Sequence, residues 1–128
     1  MPEKKTLERA RKDAREGKAP TTQAGEFVRE EMDHIREGKH GARSTKQAIA
    51  IGLSKARRAG VKLPPPKDGN SSKATKKKAA NDVKAGSTRR KASATRSRAT
   101  RSALKREGRQ AASKKSIARH SRQAAKLR

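Results

Sequence analysis

The residues that could do chemistry in this chain are cations, and they are spread densely rather than set in a motif. In the second half they run as Lys73, Lys76, Lys77 and Lys78, then Arg89, Arg90 and Lys91, then Arg96, Arg98 and Arg101. Lys105, Arg106 and Arg109 follow, with Lys114, Lys115, Arg119 and Arg122 near the end. Each such cation that neutralises a phosphate releases a counterion, so many weak contacts sum to salt-sensitive, sequence-tolerant binding. Lys suits point contact with phosphate, whereas Arg can also enter a narrow minor groove. A second cluster lies earlier. Ser44 and Thr45 would place hydroxyls and free backbone N–H groups at a helix start, flanked by Arg43 and Lys46, which is a seat for phosphate. Lys55, Arg57 and Arg58 extend that patch, although an ordinary capped surface helix accounts for the same residues.

Other chemistries have little support. Gly38-Lys39-His40 lacks the glycine spacing and the Ser/Thr of a phosphate-binding loop. His34, His40 and His120 are scattered, and His34 beside Glu30 and Glu37 reads as a solvated side chain rather than a metal ligand. With no cysteine there is no disulfide or thiolate site. The expectation is no catalytic residue, no metal, no cofactor and no enzymatic activity. Phe27 is the single aromatic residue, so base-stacking modes of single-strand recognition lack platforms.

These residues must be positioned by helices. Residues 6–16 form a short charged helical pattern ending at Gly17, with Leu7, Ala10 and Ala14 as a thin apolar stripe. After a break with Thr21 or Thr22 as N-cap, residues 23–37 carry Ala24, Phe27, Val28, Met32 and Ile35 at helical spacing. The opposite face holds Glu26, Glu30, Glu31, Asp33 and Glu37, the one acidic surface in the sequence. Ser44 and Gln47 fit a capping box for a helix ending near Ala59, with Gly60 as its cap and Pro64–Pro66 beyond. Ile49, Gly52, Leu53 and Ala56 share the apolar side, while Ile51 falls on the basic side. A helix-turn-helix is disfavoured, because the connector of residues 38–43 is long and the second helix offers few base-reading side chains.

Composition divides the chain. Of 13 Leu, Ile, Val and Phe residues in 128, nine lie in 1–63, too few overall to order every residue of so charged a chain. Residues 1–63 hold 16 Lys/Arg against 9 Asp/Glu, and residues 64–128 hold 21 against 3. The reading is all-α: a head of two to three short helices over 1–63, a Pro/Gly/Ser/Lys-rich linker over 64–86, and a basic Ala/Ser/Arg-rich tail over 87–128. In the tail, like charges at helical spacing favour disorder, or helix only once phosphates neutralise them. The start of the chain has no apolar signal segment and no 18-residue apolar run occurs, so neither secretion nor membrane anchoring is expected.

An Arg-Glu-Gly-Lys/Arg echo recurs at residues 15–18, 36–39 and 106–109. It fits either a true repeat or plain helix C-terminal chemistry. The run from His34 through Gly38-Lys-His-Gly-Ala-Arg-Ser-Thr-Lys-Gln to Pro64-Pro-Pro66, with residues 15–31 before it and Ala103–Ser113 after it, resembles a family of small basic bacterial proteins. Those are described as of unknown function, sometimes as DNA-binding, and the resemblance implies a cytoplasmic bacterial protein. The Lys73–Lys78 tract is similar to the Lys/Ala-rich tails of histone-H1-like proteins. The functional expectation is non-sequence-specific duplex DNA binding or compaction, as in nucleoid-associated, histone-like proteins. The alternatives are an RNA- or ribosome-associated protein, and an adaptor that self-associates or recruits a protein partner through the acidic helix 23–37.

Overall fold

The computed structural model describes residues 2–65, 72–88 and 93–126. Among the described residues six α-helices follow one another: α1 Lys4–Arg15, α2 Pro20–Arg36, α3 Thr45–Arg58, α4 Lys73–Thr88, α5 Ala94–Lys105 and α6 Lys114–Lys126. A 3-10 turn at Gln110–Ala112 precedes α6, and there is no strand among the described residues. The expected head with a largely disordered tail is therefore corrected. The C-terminal half is as helical as the first, and α4 occupies most of the stretch read as a linker.

Capping explains much of that helicity. Ser44, Ser72, Ser93 and Ser113 each stand before a helix, and each hydroxyl accepts the N–H three residues on, from Gln47, Thr75, Arg96 and Ser116 at 3.1–3.2 Å. A serine in this position supplies a partner for an N–H the helix cannot bond itself, contributing about 1 kcal/mol. Between the caps lie Ala, Lys and Arg, all good helix formers. The C-terminal ends of α1, α2 and α3 share one arrangement. Gly17, Gly38 and Gly60 take positive φ, and the N–H groups of Lys18, Lys39 and Val61 reach back to the carbonyls of Asp13, His34 and Ala56. The first two echoes are thus the same helix-ending device. The third is not: Gly108 is not among the positive-φ glycines, and its carbonyl accepts from Ala42 instead. Helix α2 starts at Pro20, earlier than either threonine cap, with proline at the first helical position where its missing N–H costs nothing.

The chain divides into two units, residues 1–30 with 52–91 and residues 31–51 with 92–128. In the first, Ala10, Ala24, Phe27, Ala56, Val61 and Leu63 are buried together, flanked by Leu7 and Leu53. Half of the six buried residues are alanine. Gly52 shows how they close up: a Cβ added there would lie 2.7 Å from the Val28 Cα, so α2 and α3 approach backbone to backbone. On α1 the buried positions are Thr6, Ala10 and Asp13, turned from the expected stripe, and Ala14 is exposed. The rotation follows a polar contact: Glu30 of α2 accepts from the Thr6 hydroxyl at 3.2 Å and from the Glu3 N–H at 2.5 Å. On α4 the buried positions are Ala79 and Asp82.

In the second unit Met32, Ile35, Ala42, Ala48, Ala111 and Ala112 are buried. Backbone pairing carries the supposed tail into this unit. The Gly41 and Ala42 N–H groups donate to the Leu104 and Gly108 carbonyls at 2.8 and 3.0 Å. Arg36 donates to the Ala112 carbonyl at 3.0 Å. Counting large apolar residues undervalues such a chain, because alanine and glycine bury backbone that then bonds internally.

Candidate nucleic-acid interface

The residues read from the sequence as phosphate contacts fall into three groups: those built into the fold, those exposed on the surface, and those outside the described residues. Thr45 and Arg57 belong to the first group. The Thr45 hydroxyl is buried and donates to the Ala111 carbonyl. Arg57, 7% exposed, donates to the Leu63 and Pro64 carbonyls at 3.2 and 3.1 Å. Burial makes its guanidinium a weaker base than usual, partly offset by the charge of Asp82. Arg57 therefore holds the segment after α3 in place, and neither it nor Thr45 is available to phosphate. Both assignments are corrected for the same reason: each side chain is consumed by a backbone carbonyl that folding would otherwise leave unbonded.

Asp82 is the residue that sequence reasoning missed. It is 1% exposed and accepts from the Ser54 hydroxyl at 2.8 Å, Arg58 at 3.0 Å and Lys78 at 2.7 Å. Burial alone would raise its pKa, but the Lys78 and Ser54 hydrogen bonds and the Lys78 and Arg58 charges outweigh that and hold the carboxyl below its usual value. Arg58 and Lys78 are thereby partly neutralised. The signal in the sequence is simple: Asp82 is the lone acid of α4, four residues after Lys78.

The acidic surface expected on α2 is mostly absent. Glu30 and Glu31 are buried and Glu26 is half-buried, leaving Asp33 and Glu37 exposed. Ile51 is half-buried, as are Ile49 and Leu53, whereas Ala48, Gly52 and Ala56 carry the buried side of α3.

What remains forms stripes. On α6, Lys115, Arg119, Arg122 and Lys126 are all exposed, and at 100° per residue they fall within about 60° of one another along about 16 Å of axis. The opposite side holds Ser116, Ile117, His120 and Ala124, all half-buried. On α5, Arg98, Arg101 and Lys105 form a shorter stripe, with Arg96 on the other side, and every residue from Ala94 to Lys105 except half-buried Leu104 is exposed. On α4, exposed Lys73, Lys77 and Lys84 lie opposite Asp82, with half-buried Lys76 beside them. Helices α5 and α6 contain no acidic residue. Arg43, Ser44 and Lys46 are exposed at the start of α3, Lys55 is half-buried, and the Ser44 hydroxyl serves as the cap. Arg106, Arg109 and Lys114 are exposed, Arg109 donating to the Arg36 carbonyl at 3.4 Å. Arg89, Arg90 and Lys91 lie outside the described residues.

Residues 5–67 match a family of unknown function (DUF6496). That span takes in α1 from its second residue, α2, α3 and the Arg57-bound segment, and stops short of the stripes on α4–α6. No curated protein and no solved structure matches the chain. No helix among the described residues is long and apolar enough to cross a membrane.

Proposed function

We propose that the protein binds duplex DNA without sequence preference, by laying helix-borne rows of Lys and Arg along the phosphate backbone, and that it acts as a nucleoid-associated, histone-like protein in the bacterial cytoplasm. The observation that carries this reading is the α6 stripe, four exposed cations on one side of a helix whose other side is half-buried. Such a row holds its charges at fixed spacing, so less side-chain and backbone freedom is lost on meeting a regular polyanion than for a free tail. The α4 and α5 stripes add to it, each acting by itself.

Duplex is favoured over single strands because the chain has no Trp or Tyr and its one Phe, Phe27, is fully buried. The adaptor reading through α2 rests on fewer carboxylates, since Asp33 and Glu37 are exposed while Glu30 and Glu31 are buried.

The test is competition among duplex DNA, structured RNA and anionic vesicles for the full chain at two salt concentrations. Preference for duplex DNA, with affinity falling steeply in salt, supports the reading. Preference for structured RNA would move the protein to the ribosome-associated class. Equal binding to vesicles would reduce the stripes to general polyanion contact.

A further inference from the structure

Two histidines that look scattered in the sequence come together with a buried carboxylate at the end of α2. Glu31 and His34 are one turn apart on that helix. His40 follows the Gly38 cap and returns to them. One ligating atom from each of Glu31, His34 and His40 lies within 4.8 Å of the other two. The Glu31 side chain is 0% exposed and that of His40 is 12% exposed. The two imidazole rings meet edge to face, with centroids 6.1 Å apart and planes at 83°.

The hydrogen-bond roles at His40 make the cluster chemically demanding. Its Nδ1 lies 2.9 Å from the Gly41 carbonyl oxygen, and its Nε2 lies 3.0 Å from a Glu31 carboxylate oxygen. A carbonyl can only accept, so Nδ1 carries the proton. Nε2 of a neutral imidazole then points a lone pair at a carboxylate oxygen, and two acceptors at that distance require a cation between or beside them. That cation is a proton or a metal ion. In a tetrahedral zinc site with bonds of about 2.0–2.1 Å, neighbouring ligand atoms stand about 3.3 Å apart. The His40–Glu31 pair is already near that separation, and His34 is within reach as a third ligand. A ligating histidine also characteristically donates its other N–H to a carbonyl or carboxylate, which fixes its tautomer and orientation. His40 does so to Gly41.

We propose that Glu31, His34 and His40 bind a divalent transition-metal ion, with zinc the best match to two imidazoles and one carboxylate, and with water or an anion completing the shell. The ion ties the loop containing His40 to α2. The same loop donates its Gly41 and Ala42 N–H groups to Leu104 and Gly108, so metal binding stabilises the whole unit of residues 31–51 and 92–128. This role is independent of nucleic-acid binding.

The test is titration of chelator-treated full-length protein with zinc by calorimetry, and with Co²⁺ by visible absorption. The expected result is one ion per chain, a micromolar or tighter Kd, a raised melting temperature and a Co²⁺ spectrum of four-coordinate intensity. H34Q and H40Q each weaken binding by at least about tenfold, while H120Q, at the remaining histidine, leaves it unchanged. Because His34 is only half-buried, H34Q keeps its helical circular dichroism, so loss of binding there reports the ligand rather than the fold. Absence of saturable one-to-one binding would overturn the proposal, as would H34Q binding like the parent. His40 ring resonances that respond to pH but not to zinc would overturn it too, leaving the proton as the occupant.

Discussion

Replacing Asp82 is expected to undo the docking of α4. Its carboxylate receives Lys78, Arg58 and Ser54 at 2.7, 3.0 and 2.8 Å and is almost completely enclosed. Hydrogen bonds to a charged group contribute about 1.5–3 kcal/mol each in buried settings. Here the two cationic side chains keep 39% and 60% of their exposure, so water solvates them when the acid is gone and the loss falls toward the low end. For Asp82→Asn we expect about 2 kcal/mol of lost stability. For Asp82→Ala we expect about 3 kcal/mol, because the Ser54 hydroxyl also loses its partner. The assay is urea unfolding of the full chain followed by far-ultraviolet circular dichroism. The dependence on pH has a definite sign. A carboxyl whose folded pKa is depressed contributes fully above its unfolded value, and the contribution disappears as pH falls through the folded one. The gap between parent and Asp82→Asn is thus constant at neutral pH and narrows only below about pH 4. A variant as stable as the parent at neutral pH, or a gap that widens in acid, would refute the reasoning.

Three further outcomes follow from single positions. Gly52→Ala places a methyl 2.7 Å from the Val28 Cα and is expected to cost about 1–3 kcal/mol. By contrast, Gly25→Ala within α2 meets nothing within 4 Å and is expected to stabilise by about 0.5–1 kcal/mol; the same urea melts read both, and equal signs would contradict the close approach of α2 and α3. Ser93→Ala removes the cap that bonds the Arg96 N–H at 3.2 Å. It is expected to fray α5 at a cost of about 1 kcal/mol, seen as faster amide exchange confined to its first turn.

The helix ends were the most legible part of the chain. Gly17, Gly38 and Gly60 cap as expected, and Ser44 caps α3, although the Gln47 side chain accepts from the Arg43 N–H rather than closing the box on Ser44. The faces were less legible. A wheel centred on Ile49 weights large side chains, whereas α3 buries Ala48, Gly52 and Ala56, because small residues let helices meet at the backbone. The same bias hid the C-terminal half: its large apolar residues are few, but Ser72, Ser93 and Ser113 announce three helices in residues plainly visible in the sequence. Net charge obscured them, since it describes solubility and partners rather than fold. The roles of Thr45, Arg57 and Asp82 depend on carbonyls and cations distant in sequence, and the meeting of His34 with His40 depends on the turn that Gly38 permits. Of the phosphate-binding residues read from the sequence, those on α5 and α6 stand exposed, while Thr45 and Arg57 serve the fold.

The central claim is that phosphate contacts from helix-borne stripes supply the affinity, and the salt dependence of duplex DNA binding tests it most directly. With full-length protein, a plot of log Kobs against log salt is expected to fall with a slope steeper than about −5, at about 0.9 per phosphate neutralised. Changing Lys115, Arg119, Arg122 and Lys126 together to Gln is expected to make that slope shallower by about 3–4 while leaving the circular dichroism intact. A slope near zero, or one unchanged by removing the α6 stripe, would contradict the account.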